Sequence, residues 1–314
     1  MKRRLLYSTQ IVLFGLFNLA LLATILQFSG KANPLTKLDG AKPVYNKTEA
    51  FDPSLSRINS LQKLEQYCDS IYAGEVIKDN TVEFEKTYVD IVSNAVRNRF
   101  YHGYSSYSFS NNYMVMVLSK VTISGLTAPV MPDDILKFPY AACSQQAIVM
   151  MEVLNHKGFT TRKIAFSGKT YGGHFAFEVW YDNAWHFSDP NMEPDKEVLN
   201  KYGRPDVDFL AKNQDVLLQA YHQYPKDEIA DIFSSYSHGP ANQFPAKRAA
   251  AFQKATYYLS YTAWLIFLVA FLFVRRSYLR TVKKQVATTE ARVSRMSDHQ
   301  STSTYYPDYK TQNA

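Results

Sequence analysis

Two long apolar runs, one near each end of the chain, constrain everything that lies between them. Residues 11–28 are apolar except for Asn18, Thr24 and Gln27, and residues 257–274 carry no charge at all. Each run approaches the roughly 20 residues that a helix needs to cross the hydrocarbon core of a bilayer. Tyr257, Tyr258 and Tyr261 gather at the entry to the second run, where an aromatic belt belongs, and Trp264 follows. We therefore expect membrane-spanning helices over residues 11–28 and 256–274. Lys2, Arg3 and Arg4 precede the first, while Arg275, Arg276, Arg280, Lys283 and Lys284 follow the second. Basic residues mark the cytoplasmic side. This predicts a two-pass cell-membrane protein with a cytoplasmic N-terminus (1–10), a cytoplasmic tail (275–314) and the main domain outside, at the cell surface or in the periplasm. A cleaved signal peptide is the competing reading of the first run. Its 18-residue span exceeds a usual signal core, and Gly30-Lys31-Ala32 makes a poor cleavage site.

The formal charge of +7 invites a nucleic-acid reading until it is located. Residues 1–29 carry +3, residues 251–314 carry +6, and residues 30–250 carry −2. The basic excess sits beside the apolar runs, so no nucleic-acid partner is expected and membrane lipid is. Only Cys68 and Cys143 occur, too few for a disulfide scaffold and without metal-site spacing. A Cys68–Cys143 bridge is chemically allowed outside the membrane.

Between the runs, glycines and prolines make residues 29–52 a linker. Residues 53–255 form the predicted extracytoplasmic domain. Leu55, Ile58, Leu61, Leu64 and Ile71 recur at helical spacing, and residues 82–100 and 113–121 read as further helices. Residues 143–155 predict a helix stopped by Gly158. Strands follow over 160–166 and 174–180. Asp182-Asn183 then turns the chain into a hairpin partner over 184–188, which ends at Asp189-Pro190. Helices over 207–221 and 225–233 lead back to the membrane, and the polar residues 285–314 read as a disordered tail.

A thiol nucleophile is favoured at a helix N-terminus, needs an imidazole partner, and needs a third group to fix the imidazole tautomer. Cys143 opens its helix, His174 opens one strand, and Asp189 ends the next strand of the hairpin. In an antiparallel pair those two ends are neighbours. The ordered segments Ala141-Ala142-Cys143-Ser144-Gln145-Gln146-Ala147, Thr161-Arg162-Lys163-Ile164, Gly173-His174-Phe175-Ala176-Phe177-Glu178-Val179 and Ala184-Trp185-His186-Phe187-Ser188-Asp189-Pro190 resemble the transglutaminase-like core of the papain-like thiol enzymes. The likeness covers about 50 of the 314 residues, within a core at about 140–192. It departs from the family at Ala141, usually glycine, and at Asn191, usually threonine. The resemblance implies an α+β fold: a helix packed on an antiparallel sheet, here with helical flanks and two transmembrane helices. It also implies Cys143 as nucleophile, His174 as base and Asp189 as its orienting carboxylate.

The reading is a membrane-anchored thiol hydrolase or transferase, catalysing acyl transfer or amide and peptide hydrolysis on a peptide, protein or envelope polymer. No cofactor and no metal are expected. The alternative is a catalytically silent domain of the same fold, acting as a binding or assembly module of a cell-envelope complex. Cys68 reads as packing, and His186 as surface or core. His102, His156, His222 and His238 show no metal spacing, and Trp180 and Trp185 read as hairpin core.

Overall fold

The computed structural model describes residues 2–29, 51–74, 81–120 and 126–302, and the chain divides into two compact units, 1–28 with 258–314 and 29–257. Most of the expected linker at 29–52 lies outside the described residues.

The smaller unit holds helix α1 (Lys2–Phe28) and the greater part of the last helix, α11 (Lys247–Thr302). By length and composition both can cross a membrane. They run antiparallel: Phe28 meets Tyr261, Phe14 meets Phe271 and Tyr7 meets Tyr278. The three polar interruptions of the first apolar run each have a job. The Thr24 hydroxyl donates to the Ser260 carbonyl at 2.9 Å, and Gln27 Nε2 donates to Ser260 Oγ at 2.8 Å, joining the two helices. Asn18 donates back to the Phe14 carbonyl at 2.7 Å, which removes an unsatisfied amide from an apolar face. The tail departs from expectation. Instead of irregular chain from 285, α11 continues as helix to Thr302, and residues 303–314 lie outside the described ones. Its Ala-, Lys- and Arg-containing sequence breaks no helical rule, since low aliphatic content argues against a core and not against a solvated helix.

The larger unit is mixed helix and sheet. A short 3₁₀ turn (Pro53–Arg57) precedes α2 (Leu61–Gly74), α3 (Thr81–Arg99), β1 (Tyr101–His102), α4 (Phe109–Ser119), α5 (Pro132–Ile135), β2 (Tyr140–Ala141) and α6 (Cys143–His156). Then come β3 (Thr160–Phe166), β4 (Phe175–Tyr181), β5 (Ala184–Ser188), four short helices α7 (Lys196–Lys201), α8 (Val207–Lys212), α9 (Gln214–Ala220) and α10 (Lys226–Ile232), and β6 (Tyr236–His238). The main sheet is antiparallel with order β5-β4-β3-β6, and β1 and β2 form a separate parallel pair.

Both faces of the sheet are covered, and the alternation along β4 shows how. Phe177, Val179 and Tyr181 turn toward α2, α3 and α6, whereas Ala176 turns toward the short helices α7–α10. The first face holds Met150, Met151 and Leu154 of α6 at 1% exposure or less. Each such side chain contributes about 1.5–3 kcal/mol on burial. Asp182 (φ 47°) and Asn183 (φ 55°) both adopt left-handed backbone, so the β4–β5 turn is the tight type whose twist matches its strands. Gly158 (φ 94°) ends α6 as its sequence predicts.

Leu55 and Ile58, expected within a helix, instead lie in the 3₁₀ turn and just after it, although both are buried in the same core as Leu64. The expected helix over 207–221 breaks at Asn213 (φ −114°, ψ 71°) into α8 and α9. Two buried charges tie the unit together. Arg99, wholly buried, donates from Nε to the Ile58 carbonyl (2.9 Å), from Nη1 to Phe138 (3.1 Å) and from Nη2 to Leu136 (2.6 Å). Glu178, also fully buried, receives Arg162 Nε at 2.5 Å and the Val207 amide at 2.8 Å, so β4 is pinned to the start of α8.

Candidate active site

Cys143 is the first residue of α6, where the backbone N–H groups have no intrahelical carbonyl. Ala142 offers no side chain to cap the helix. Gln145 supports the start of α6 instead: its Oε1 accepts from the Ala142 amide (3.0 Å) and the Ser105 amide (3.3 Å), and its Nε2 donates to the Pro129 carbonyl (2.9 Å). Gln146 Nε2 donates to the Ala141 carbonyl at 3.0 Å. Two buried carboxamides thus fix the approach to the cysteine. The segment carrying Pro129 is itself held by Gln253, whose Nε2 donates to the Ala128 carbonyl at 2.7 Å and whose Oε1 accepts from the Val130 amide at 2.9 Å. Cys143 is partly exposed and its thiol is free.

His174 immediately precedes β4 and Asp189 immediately follows β5. The hairpin register, Phe177 opposite Ser188, brings the two ends together, and His174 Nε2 lies 2.7 Å from Asp189 Oδ2. The Cys143 side chain is near enough to the same ring to help raise its pKa. With Nε2 committed to Asp189, Nδ1 is the ring nitrogen left for the sulfur. The structure therefore brings Cys143, His174 and Asp189 together at one end of the hairpin.

Asp189 is held more firmly than the sequence suggested. Besides His174 it accepts the Tyr221 hydroxyl (2.9 Å) and the amides of Asn191 and Met192 (3.1 Å each). Burial alone would raise its pKa, but the His174 charge and these donors win and hold the carboxyl below 3.8. For His174, burial works against the charged ring. The Asp189 charge, their hydrogen bond and the contact with Cys143 outweigh it and raise the pKa from 6.5 to about 10. The ring thus holds a proton at neutral pH. Tyr221 is driven well above its ordinary range by burial and by Asp189, so it stays a phenol and a donor.

Three contributors were not singled out from sequence. Tyr221 follows Asp189 at no motif spacing. Asn191 stood out only as a departure from threonine, yet its Nδ2 lies 2.5 Å from His102 Nδ1. His102 comes to the site through the β1–β2 pair, directly opposite Ala141. A strand of two residues leaves no periodicity to read.

The other residues considered lie elsewhere. Cys68 has no exposure, is free, and is pushed to about 12 by burial, then by Asp69 and Glu65. A disulfide with Cys143 is thus absent. His186 stacks on Tyr181 and contacts two backbone carbonyls, of Arg204 and Tyr181. Trp180 and Trp185 pack edge to face, with the Arg162 guanidinium over the Trp185 ring. A cavity of about 50 Å³ is lined in part by Asp189, together with Asp90, Arg97, Lys196 and Arg204. Neither Cys143 nor His174 lines it, so it belongs to the support and not to the reactive face. Among the described residues no three His, Cys, Asp or Glu side chains group as metal ligands.

No protein-family model matches the chain, and no curated protein matches it. A solved structure described as the crystal structure of a TGase is similar over 49% of this chain and 36% of that one, with 15% identity and a TM-score of 0.24. A likeness at that score leaves the family unassigned.

Proposed function

We propose that the chain is a membrane-anchored, transglutaminase-like thiol enzyme that transfers or hydrolyses acyl groups through Cys143, His174 and Asp189. One observation carries this reading: a buried imidazole 2.7 Å from a carboxylate is also close enough to a thiol at the first position of a helix for that thiol to help raise its pKa. The sequence motifs surrounding these three residues support it independently.

In this mechanism the Cys143 sulfur attacks a carbonyl carbon while His174 holds the thiol's proton on Nδ1. The tetrahedral adduct collapses, the C–N or C–O bond breaks, and His174 delivers its proton to the leaving amine or alcohol. The resulting thioester is attacked by water or by an acceptor amine, whose proton passes back to His174, and the thiol is regenerated. Asp189 keeps Nε2 protonated and balances the charge on the ring, while Tyr221 and the two amides keep Asp189 in place. The Cys143 N–H, at the start of α6, is positioned to donate to the developing oxyanion.

The basic flanks of both apolar runs place the two termini in the cytoplasm in this reading, and the 53–255 region outside. The substrate class then follows from the compartment: a peptide, protein or polymer of the cell envelope. The test is site-resolved labelling of Cys143 by iodoacetamide in isolated membranes at neutral pH. Labelling is expected to be fast and to fall at least tenfold in His174→Ala. Equal labelling in the two proteins would remove the thiol–imidazole pair from the mechanism.

A further inference from the structure

Helix α11 begins at Lys247, and its residues up to Tyr257 belong to the larger unit, ahead of the apolar run. Gln253, on this stretch, is only 1% exposed. A carboxamide buried so completely needs partners for both its oxygen and its nitrogen. Gln253 takes three from one short segment. Its Nε2 donates to the carbonyls of Leu126 (3.0 Å) and Ala128 (2.7 Å), and its Oε1 accepts from the Val130 amide (2.9 Å). Residues 126–130 are turn and irregular chain, so no helix or ladder satisfies these backbone groups and the side chain does so instead.

The grip reaches the cysteine. Pro129, between the residues that Gln253 holds, offers its carbonyl to Gln145 Nε2 at 2.9 Å. Gln145 Oε1 in turn accepts the Ala142 amide at 3.0 Å. Ala142 is the N-cap of α6 and has no side-chain oxygen of its own, so Gln145 is the group that holds the turn on which Cys143 sits. A route from α11 to the residue before Cys143 therefore runs entirely through hydrogen bonds of 3.0 Å or less.

A thiolate is favoured at a helix N-terminus because the first amides and the helix dipole are aligned on it, and the benefit is lost when that turn loosens. We propose that Gln253 is a positioning residue for Cys143: by fixing residues 126–130 it keeps Gln145 on the first turn of α6, and the thiol on its aligned amides. The helix proposed as the second membrane span is then part of the support of the reactive site as well as an anchor. The inference rests on Cys143 being the nucleophile.

Iodoacetamide labelling of the full-length protein in membranes, followed across pH, is the test. Gln253→Met keeps the shape of the side chain and removes its hydrogen bonds. Labelling of Cys143 at pH 7 is expected to fall about three- to tenfold, the contribution of one hydrogen bond at the start of α6. The rate profile should slide to higher pH with its plateau unchanged, because the thiolate loses stabilisation and not access. Gln253→Asn, whose carboxamide is one methylene short of the same partners, should give the same slide with less disturbance of the fold. In a Gln145→Ala background, which already lacks the link, adding Gln253→Met should change labelling by less than about twofold. Thr256→Val removes instead the contact of α11 with Asn112 (3.2 Å) and should stay within about twofold of wild type. A wild-type profile in both Gln253 variants overturns the proposal. So do equal losses in Gln253→Met and Thr256→Val, a full further loss in the Gln145→Ala background, or labelling of Cys68 in both Gln253 variants, which would leave Gln253 a part in folding alone. Wild-type labelling that ignores His174→Ala would instead remove the nucleophile, and the Gln253 assignment with it.

Discussion

Replacing Asp189 by Asn is the sharpest perturbation of the site, because it keeps the shape and removes only the charge. The Asn oxygen can still accept the amides of Asn191 and Met192. Its NH2 group then faces two donors, the His174 Nε2–H and the Tyr221 hydroxyl. To relieve the clash the His174 ring must move its proton to Nδ1, the nitrogen that should receive the proton of Cys143. A buried, charge-assisted hydrogen bond is worth about 1.5–3 kcal/mol, and each ~1.4 kcal/mol is a factor of ten. Transfer of the thiol proton to His174 should weaken by that amount, and iodoacetamide labelling of Cys143 at pH 7 should fall about ten- to a hundredfold. Mass spectrometry of the two cysteine peptides provides the assay and its control together. Cys68 has no exposure and should remain unlabelled as long as the fold is intact. A variant labelled at Cys143 within twofold of wild type, with Cys68 still protected, refutes the reasoning. The pair also sets a pH window for stability. The raised pKa of His174 stabilises the fold fully below its unfolded value of 6.5, and that contribution is lost as pH rises through about 10. The lowered pKa of Asp189 contributes above 3.8 and is lost as pH falls below it. The difference in thermal stability between wild type and Asp189→Asn should thus be largest between about pH 4 and 6.5 and shrink toward pH 10.

Two further outcomes test the frame around the site. Arg99→Met leaves the buried carbonyls of Ile58, Leu136 and Phe138 without their donor and should cost about 3 kcal/mol, read as earlier exposure of Cys68 to thiol reagent in urea. For topology, a cysteine introduced at Lys284 should resist a membrane-impermeant maleimide in intact cells while Cys143 reacts, and the opposite pattern would invert the proposed orientation.

How much of this was legible in the sequence depended on whether the signal was local. The His174–Asp189 contact follows from the Asp182-Asn183 turn and the strand alternation on either side, all within a few residues. Gly158 and the cysteine helix were legible for the same reason. The surroundings of Asp189 were not, because Tyr221 arrives through a chain of short helices whose break at Asn213 carries no Gly or Pro. His102 was missed because its two-residue strand is defined by its partner alone. The helical course of 285–302 was misread through composition, which reports on core burial and says little about an isolated solvated helix. Thr24 and Gln27 were visible as interruptions, but only the facing Ser260 gives them a purpose.

The four donors that converge on Asp189 have a consequence for tracing this chain among its relatives. Asp189 would be retained by selection for folding alone, since its loss strands a buried phenol, two amides and a histidine at once. Its persistence in a homologue therefore says nothing about chemistry. Cys143 carries no such obligation: it is partly exposed, and the start of its helix is supported by Gln145 and Gln146. A relative that keeps the aspartate and has drifted at the cysteine would be one from which the reaction has gone while the architecture remains.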